Sequence, residues 1–600
     1  MSKDQLRSSQ VITTYGPGAM VDLPDASIMI AGLDHWNYDA TSIPTIDEPR
    51  LLDKLRRVLD VQNLSLRTPP PSIEDARSFH PNVVVWRFPE WFIVQRAEAT
   101  PSGYLRRRLV HMTSLDDNYK YYRDRDYGRQ AVVPIRFVRA CRSGHIGDID
   151  WKAFVHQKPS DCPRDLWIEE RGTSGELEVI FVACECGVPS RSMSQAARRD
   201  LRALGSCNGA RPWLGPGTKE SCGQANWLLI RSASNAYFPQ TMSVISIPDS
   251  RGPVDQVVRQ LWDDFLSDVE TSEDLARVRR KPTVTSRLQG IDDSLVMESI
   301  ARVRAGADVQ DRPIKAVEFE ALSEAKDELG TDVADGADFF ARALPRAKWD
   351  SEAMSSFERV VLVHRLREVA AQVGFTRFEA AGPNIEGELE LDVKRAPLAL
   401  DISWLPAREN RGEGVFIQLK REAIDSWLKT PAVQQRGTLL SEGFDRWRAD
   451  HRGSNVDFPG IPYYMLHSLS HMLLTAISLE CGYPGSSLRE RIYATAGAYG
   501  ILIHTGSSDA EGTLGGLVLA ARDIRRHFAR AIESGVLCSN DPVCAFQVPA
   551  EQGHQPLLGS ACHGCLLVAE TSCEQRNDYL DRALVVPTLE ALGCAFFRES

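Results

Sequence analysis

Six hundred residues exceed what one hydrophobic core sustains, so the chain is expected to fold as roughly three or four domains. With 43% apolar residues, 25% charged residues and a mean hydropathy of -0.26, it is neither disordered, fibrous nor membrane-embedded. A net charge of -11 excludes a protein that coats nucleic acid over its whole surface.

No run approaches the roughly 18–20 uninterrupted apolar residues of a membrane helix, and the start, MSKDQLRSSQ, has no apolar signal-peptide segment. A cytoplasmic protein with no membrane partner is expected. In that reducing compartment disulfides are poor braces, so clustered cysteines read as metal ligands or catalytic thiols. Eleven of the thirteen cysteines fall between Cys141 and Cys222 or between Cys538 and Cys573.

In chain order, residues 1–103 read as a mixed segment with a turn at Tyr15-Gly16-Pro17-Gly18, an apolar run from Ser27 to Leu33 and a strand-like Val83-Val84-Val85-Trp86. Residues 104–250 read as a β-rich, zinc-stabilised module. Strand-like runs at Val132–Val138 and Val179–Val182 lead directly into Cys141 and Cys184. From Tyr104 to Arg231 there are 21 Lys and Arg against 15 Asp and Glu, a net of +6 inside an acidic chain. Residues 251–345 hold 13 basic and 20 acidic side chains, with Val257, Leu261, Phe265 and Val269 at helical spacing, and read as a helical acidic insert.

Residues 346–600 read as a C-terminal α/β domain. A helix is expected over Phe357, Val361, Leu362, Leu366, Val369 and Val373, stopped by Gly374, and a second over Tyr463–Leu479, ending at Gly482. Strands are expected at Gly414–Leu419 and Gly500–His504. A turn at Gly506-Ser507-Ser508-Asp509 and the stretch Glu511 to Gly516 precede a basic helix through Arg522, Arg525, Arg526 and Arg530. The fold class is therefore α+β and multidomain.

Four thiolates suit a closed tetrahedral zinc site, which is structural because it keeps no position for water. Cys184-x-Cys186 with Cys207 and Cys222 is expected to form one such Zn2+ site, free thiols being the alternative. Cys141-x3-His145, with His156 and Cys162, either forms a second site or exchanges members with the first. Cys538, Cys544, Cys562, Cys565 and Cys573 offer five thiols where four suffice, with Cys538 or Cys544 expected to be the spare. Cys562-x2-Cys565 is the strongest metal signal in the chain. His467 and His471, at i and i+4, lack the glutamate of HExxH and are assigned to helix packing and hydrogen bonding.

No GxxxxGK[ST] phosphate loop occurs, Gly215-Pro216-Gly217-Thr218-Lys219 does not match it, and the lone acidic pair Asp47-Glu48 has no such loop to serve, so the chain is not expected to be an ATPase or other enzyme. The glycines after Glu511 suit either phosphate or a plain turn. Glu390, Asp392 and Lys394 are the one arrangement that a metal-dependent nuclease could use; alternating charges on a strand face explain them better. Arg106, Arg107, Arg108, Tyr121, Tyr122 and Arg123 combine phosphate-binding cations with base-stacking rings, and Arg525 and Arg526 add a second basic candidate. A protein contact or a solvated loop is the competing reading of these groups.

Several motifs together resemble a known family. They are Tyr15-Gly16-Pro17-Gly18-Ala19, Cys141-Arg142-Ser143-Gly144-His145, Arg231 to Pro239, His467-Ser468-Leu469-Ser470-His471, Glu511 to Leu517, Ala561 to Cys565 and Glu570 to Glu574. The chain resembles the DrmB family, the helicase-partner subunits of bacterial DISARM anti-phage defence systems. Its C-terminal part is similar to the cysteine-bearing, metal-binding domain of certain superfamily 2 repair helicases. The resemblance implies a non-catalytic subunit that joins a separate DrmA-like helicase and helps a complex grip invading DNA. A purely protein-binding scaffold is the further alternative.

Overall fold

The computed structural model describes residues 8–598 apart from 24–25, 40–42, 71–81, 248–251, 305–311, 328–337, 381–382, 390–392, 452–455, 496, 507–515, 552–554 and 591. It has mixed helix and sheet content and divides into two compact units. One comprises residues 1–242, 370–382 and 393–408; the other comprises 243–369, 383–392 and 409–600.

The first unit begins with a hairpin, β1 (Met20–Leu23) and β2 (Ala26–Ile30). Its main sheet holds β3 (Trp91–Ala99), β4 (Leu105–His111), β5 (Tyr121–Asp124) and β6 (Gly128–Pro134). A separate strand, β7 (Phe137–Ala140), and helix α1 (Trp151–His156) precede β8 (Leu166–Glu170), β9 (Ile180–Cys184) and β10 (Arg191–Ser192). The main sheet is antiparallel in the order β5-β6-β3-β4-β8-β9-β10. β7 pairs instead with β11 (Trp227–Ile230), and with Ile146–Gly147 on its other side. Ile135, Phe137, Trp151, Phe154, Leu166, Ile168 and Val182 close the core beneath these strands. Both cysteine-bearing strand ends expected from the sequence therefore stand on one hydrophobic body.

Arg377 ties this unit together. Its guanidinium is 1% exposed and donates to three backbone carbonyls: Gly18 at 2.7 Å, Gly144 at 3.0 Å and Ala236 at 2.6 Å. These carbonyls lie in three of the motifs that carry the family resemblance. Gly18 has φ +85°, and a Cβ there would sit 2.5 Å from the Phe375 ring, so the turn requires glycine twice over. Burial lowers the Arg377 pKa to about 10, a value at which the group still carries its charge at neutral pH.

In the second unit, helices at 252–260, 272–278, 282–287 and 293–304 surround Val258, Leu261, Leu266, Leu275, Val284, Leu288, Val296 and Ile300, a small core of their own. Helix α2 (Ile314–Ser323) follows and is anchored by buried charge: Glu318 accepts from Arg491 Nε at 2.5 Å and Nη2 at 2.9 Å. The long strands β12 (Phe357–Thr376) and β13 (Trp404–Leu419) come next, with residues in both units.

Residues 357–376 thus form a strand where apolar spacing predicts a helix. The run is rich in β-branched valines at 360, 361, 363, 369 and 373, and most of its length is buried, so it carries the continuous apolar pattern of a strand covered on both faces. Such a run also matches the 3.6-residue period, and the β-branching decides between the two.

Helices α3 (Pro431–Asp450) and α4 (Ile461–Cys481) are followed by the hairpin β14 (Leu488–Thr495) and β15 (Ala498–Thr505), and then by α5 (Ile524–Gly535). The sheet runs β12-β13-β15-β14. α4 is apolar nearly all round, as a helix at the centre of a core must be, with Tyr463, Leu466, Leu469, Leu473 and Ile477 all buried. Pro462 opens it and Gly482, at φ +69°, ends it. Among the described residues no helix is long and apolar enough to cross a membrane. The expected turn at 507–509 and the glycines at 512 and 515 lie outside the described residues.

Candidate metal centres

Four groups of metal-ligating side chains stand out among the described residues, each with its ligand atoms within 4.8 Å of one another. The grouping differs from the one local spacing suggests. Cys184 and Cys186 do not meet Cys207 and Cys222; the two halves of the first cysteine window each recruit partners from upstream.

In the first group, Cys141 and His145 at the end of β7 meet Cys207 and Cys222. Cys141 Sγ lies 3.3 Å from His145 Nδ1 and 4.0 Å from Cys222 Sγ, and Cys207 Sγ lies 3.5 Å from the same Nδ1. Gly144 (φ +82°) makes the tight turn in which the Cys141 N–H reaches the His145 carbonyl, and the Gly209 N–H donates to Cys207 Sγ. His145 Nε2 contacts Glu220 at 2.6 Å, so the ring presents its other nitrogen to the thiols. Burial pushes the Cys141 thiol up to about 12, which opposes a free thiolate.

The second group joins His156, the last residue of α1, with Cys162, Cys184 at the end of β9, and Cys186. His156 Nε2 lies 3.3 Å from Cys186 Sγ, and the two sulfurs of Cys162 and Cys184 are 3.7 Å apart. His156 Nδ1 lies 2.8 Å from the Lys152 carbonyl, which accepts only; Nδ1 therefore carries the hydrogen and Nε2 keeps its lone pair. Sequence spacing offers no frame for His156. The helix end supplies one.

The third group is Cys538, Cys544, Cys562 and Cys565. Its sulfur separations are 3.4 Å (Cys538–Cys562), 3.8 Å (Cys544–Cys565) and 3.7 Å (Cys562–Cys565). A tetrahedron with Zn–S bonds of about 2.3 Å has edges of about 3.8 Å, so this set fits zinc. All four are free cysteines, and the N–H groups of Asn540 and Gly564 donate to Cys538 and Cys562. The Cys544 thiol, hydrogen-bonded to Cys565, lowers the Cys565 pKa to about 6 against the opposing effect of burial; Arg582 adds in the same direction.

The spare thiol of the C-terminal window is therefore Cys573, not Cys538 or Cys544. It belongs to a fourth group with His467, His471 and Glu490, all four buried. His467 and His471 project from one face of α4, as their spacing requires, but they face a carboxylate and a thiol as well as the packed core. The one sequence signal for this was the coincidence of an i, i+4 histidine pair with an unassigned fifth cysteine.

The candidate nucleic-acid residues are largely engaged within their own units. On β4, Arg106 and Arg108 flank the Trp167 ring, their guanidinium carbons 4.0 and 4.9 Å from its centre, and Trp167 is 2% exposed. Arg106 pairs with Glu98 at 3.3 Å, Arg107 with Glu170 at 2.5 Å and Arg108 with Asp165 at 2.6 Å. Arg129 covers Tyr121, and Tyr122 accepts from Arg108 at 3.4 Å. Arg526, its side chain 63% exposed, pairs with Glu480 at 2.9 Å, and Arg123 and Arg525 are exposed as well. Glu390 and Asp392, two members of the nuclease alternative, lie outside the described residues.

Residues 469–566 match the MrfA Zn-binding domain family, and residues 7–238 match a domain of unknown function, DUF8724. The chain is 31% identical over 488 residues to a protein of Bacillus paralicheniformis described as DISARM protein DrmB, covering 78% of this chain and 82% of the relative. Among solved structures, a crystal structure of the DUF1998 helicase MrfA bound to DNA aligns at 12% identity over 37% of this chain and 23% of that one, with a TM-score of 0.17.

Proposed function

Because this chain belongs to the DrmB family of DISARM proteins, we propose that it is a non-catalytic, DNA-binding subunit that works with a separate DrmA-like helicase in anti-phage defence. The observation that carries the reading is the form of the metal groups: three sets of four ligands dominated by thiols, each a closed shell with no position reserved for a substrate or an attacking water. Cys141, His145, Cys207 and Cys222 hold one Zn2+ on this reading, His156, Cys162, Cys184 and Cys186 a second, and Cys538, Cys544, Cys562 and Cys565 a third. Zinc then braces loops that disulfides would not hold in the cytoplasm. The absence of a phosphate loop from the sequence agrees with an engine supplied by the partner.

DNA enters this reading through local charge, the net of +6 between Tyr104 and Arg231, and through the exposed Arg123 and Arg525. The carboxylate partners of Arg106, Arg107 and Arg108 favour a second reading, in which those side chains stiffen the sheet and the subunit acts as a protein-binding scaffold.

The test is co-expression with a DrmA-like helicase, co-purification, and DNA binding titrated with salt. The first reading expects a stable complex whose DNA affinity falls steeply with salt and weakens when Arg123 and Arg525 are both changed to Glu. Retention of DNA that does not change in that double variant selects the scaffold reading. Failure to co-purify overturns the partnership itself.

A further inference from the structure

We propose that His467, His471, Glu490 and Cys573 form an additional, fully buried structural site for a divalent transition-metal ion, zinc being the best fit to two imidazoles, a carboxylate and a thiolate. The proposal rests on where the donors point. His467 Nδ1 lies 3.3 Å from the Tyr579 carbonyl and His471 Nδ1 lies 2.8 Å from the Leu566 carbonyl. Carbonyl oxygens only accept, so both rings carry hydrogen on Nδ1 and direct Nε2 inward. This is how ligating histidines are normally oriented.

Both Nε2 atoms converge on the same carboxylate oxygen, Glu490 Oε1, at 2.8 and 3.2 Å, and His467 Nε2 is 3.1 Å from Cys573 Sγ. The lone pairs of neutral imidazoles against a carboxylate repel one another unless a cation lies among them. The second carboxylate oxygen, Glu490 Oε2, is buried without a hydrogen-bond partner, which leaves it available as a ligand.

Cys573 is prepared in the same way. Its sulfur accepts the backbone N–H groups of Asn577 at 3.1 Å and Gln575 at 3.4 Å, the environment of a thiolate. The loop achieves this with Arg576 and Asn577 both at positive φ, +53° and +66°, an uncommon pair for residues other than glycine.

Like-charge repulsion selects between the two ways of relieving the contact. A divalent ion with one carboxylate, one thiolate and two neutral imidazoles is neutral overall. With Cys573 ionised, protonating both rings gives the same total charge but sets two imidazolium groups with ring centres 4.6 Å apart where the His467, His471 and Glu490 side chains are all 0% exposed. Four protein ligands leave no open position, so the ion is structural: it clamps α4, β14 and the loop after Cys573 to one another.

The experiment uses the full-length protein. Zinc content is measured for the wild type, His471→Ala, Cys573→Ala, Cys573→His and, as a separate control, Cys562→Ser, all checked for folding by circular dichroism. His471→Ala and Cys573→Ala are expected to hold one equivalent less than wild type and Cys573→His to retain it. Cys562→Ser is expected to lose its own equivalent and keep this one. To cover variants that do not fold, wild-type crystals measured on both sides of the zinc absorption edge are expected to show an anomalous peak among the four ligand atoms. Folded His471→Ala and Cys573→Ala proteins with full zinc content overturn the proposal, as does a missing peak here beside a strong one at Cys538–Cys565. Missing peaks at both places overturn the zinc reading of the C-terminal domain together with this one.

Discussion

Replacing Arg377 with methionine keeps an unbranched stem out to the position of Nε and removes every donor, so it tests what the buried guanidinium contributes. Three carbonyls, those of Gly18, Gly144 and Ala236, lose their arginine hydrogen bonds. A buried carbonyl left without a partner costs about 1–3 kcal/mol. Relief from burying a charged group offsets part of that sum, as it does whenever a buried ion is replaced by an apolar group. The expected net loss is about 3 kcal/mol, roughly a hundred-fold rise in local opening at about 1.4 kcal/mol per tenfold.

Native-state hydrogen exchange reads this residue by residue. The amides of Gly18, Gly144 and Ala236, bonded to Ile30, Cys141 and Ala233, are expected to lose about two orders of magnitude in protection, while the Ile503 amide in the second unit keeps its own. Because Gly144 lies between Cys141 and His145, faster zinc loss from that group is expected alongside. Protection at the three amides within tenfold of wild type refutes the assignment of Arg377 as the anchor.

Glu318→Ala strands the buried Arg491, which bonds the carboxylate through two nitrogens; a loss of about 3–5 kcal/mol is expected, seen as a large drop in the urea midpoint of the second unit. Gly209→Ala places a Cβ 1.6 Å from the Glu220 carbonyl at a backbone φ of +69°, so one equivalent of zinc should be lost or bound more weakly, measured by competition with a chelator.

Asp148 titrates at about 7, raised chiefly by burial, and one of its carboxylate oxygens has no hydrogen-bond partner. Its folded pKa lies above the unfolded value of 3.8, so the folded state binds the extra proton and stability falls as pH rises from about 4 to 7. Asp148→Asn is therefore expected to stabilise the first unit by about 2–4 kcal/mol at pH 8 and by little at pH 4. Equal denaturation midpoints for the two proteins at pH 8 refute the sign.

Local signals in this chain were readable, and distant ones were not. The Cys562-x2-Cys565 turn, the strand ends before Cys141 and Cys184, and the Gly482 stop of α4 all depend on neighbours within a few residues. Which cysteines share an ion depends instead on tertiary pairing. Cys207 joins Cys141 because the Ser206–Ala225 bridge and the Ile146 N–H bond to Ala210 bring the 205–226 loop against β7. The histidine pair on α4 looked like packing because its other donors lie on separate elements, 19 residues away at Glu490 and 106 away at Cys573. The ion pairs of the basic segment were hidden for a related reason. Its carboxylate partners Glu170 and Asp165 are 63 and 57 residues away in sequence, and only pairing of β4 with β8 sets them opposite the arginines. β12 was misread because a doubly covered strand lacks the alternation that distinguishes it from a helix.

The wide sequence span of each donor set bears on biosynthesis. Cys141 and Cys222 are 81 residues apart, so at about 5–20 residues per second the ribosome needs several seconds between the first thiol and the last. During that interval a nascent domain has an incomplete set of ligands and lacks whatever rigidity the finished set confers. His467 and Cys573, 106 residues apart, impose a longer wait. Maturation of the second unit is thereby deferred until Cys573 has been made, and metal supply at that moment becomes a control on how much protein accumulates.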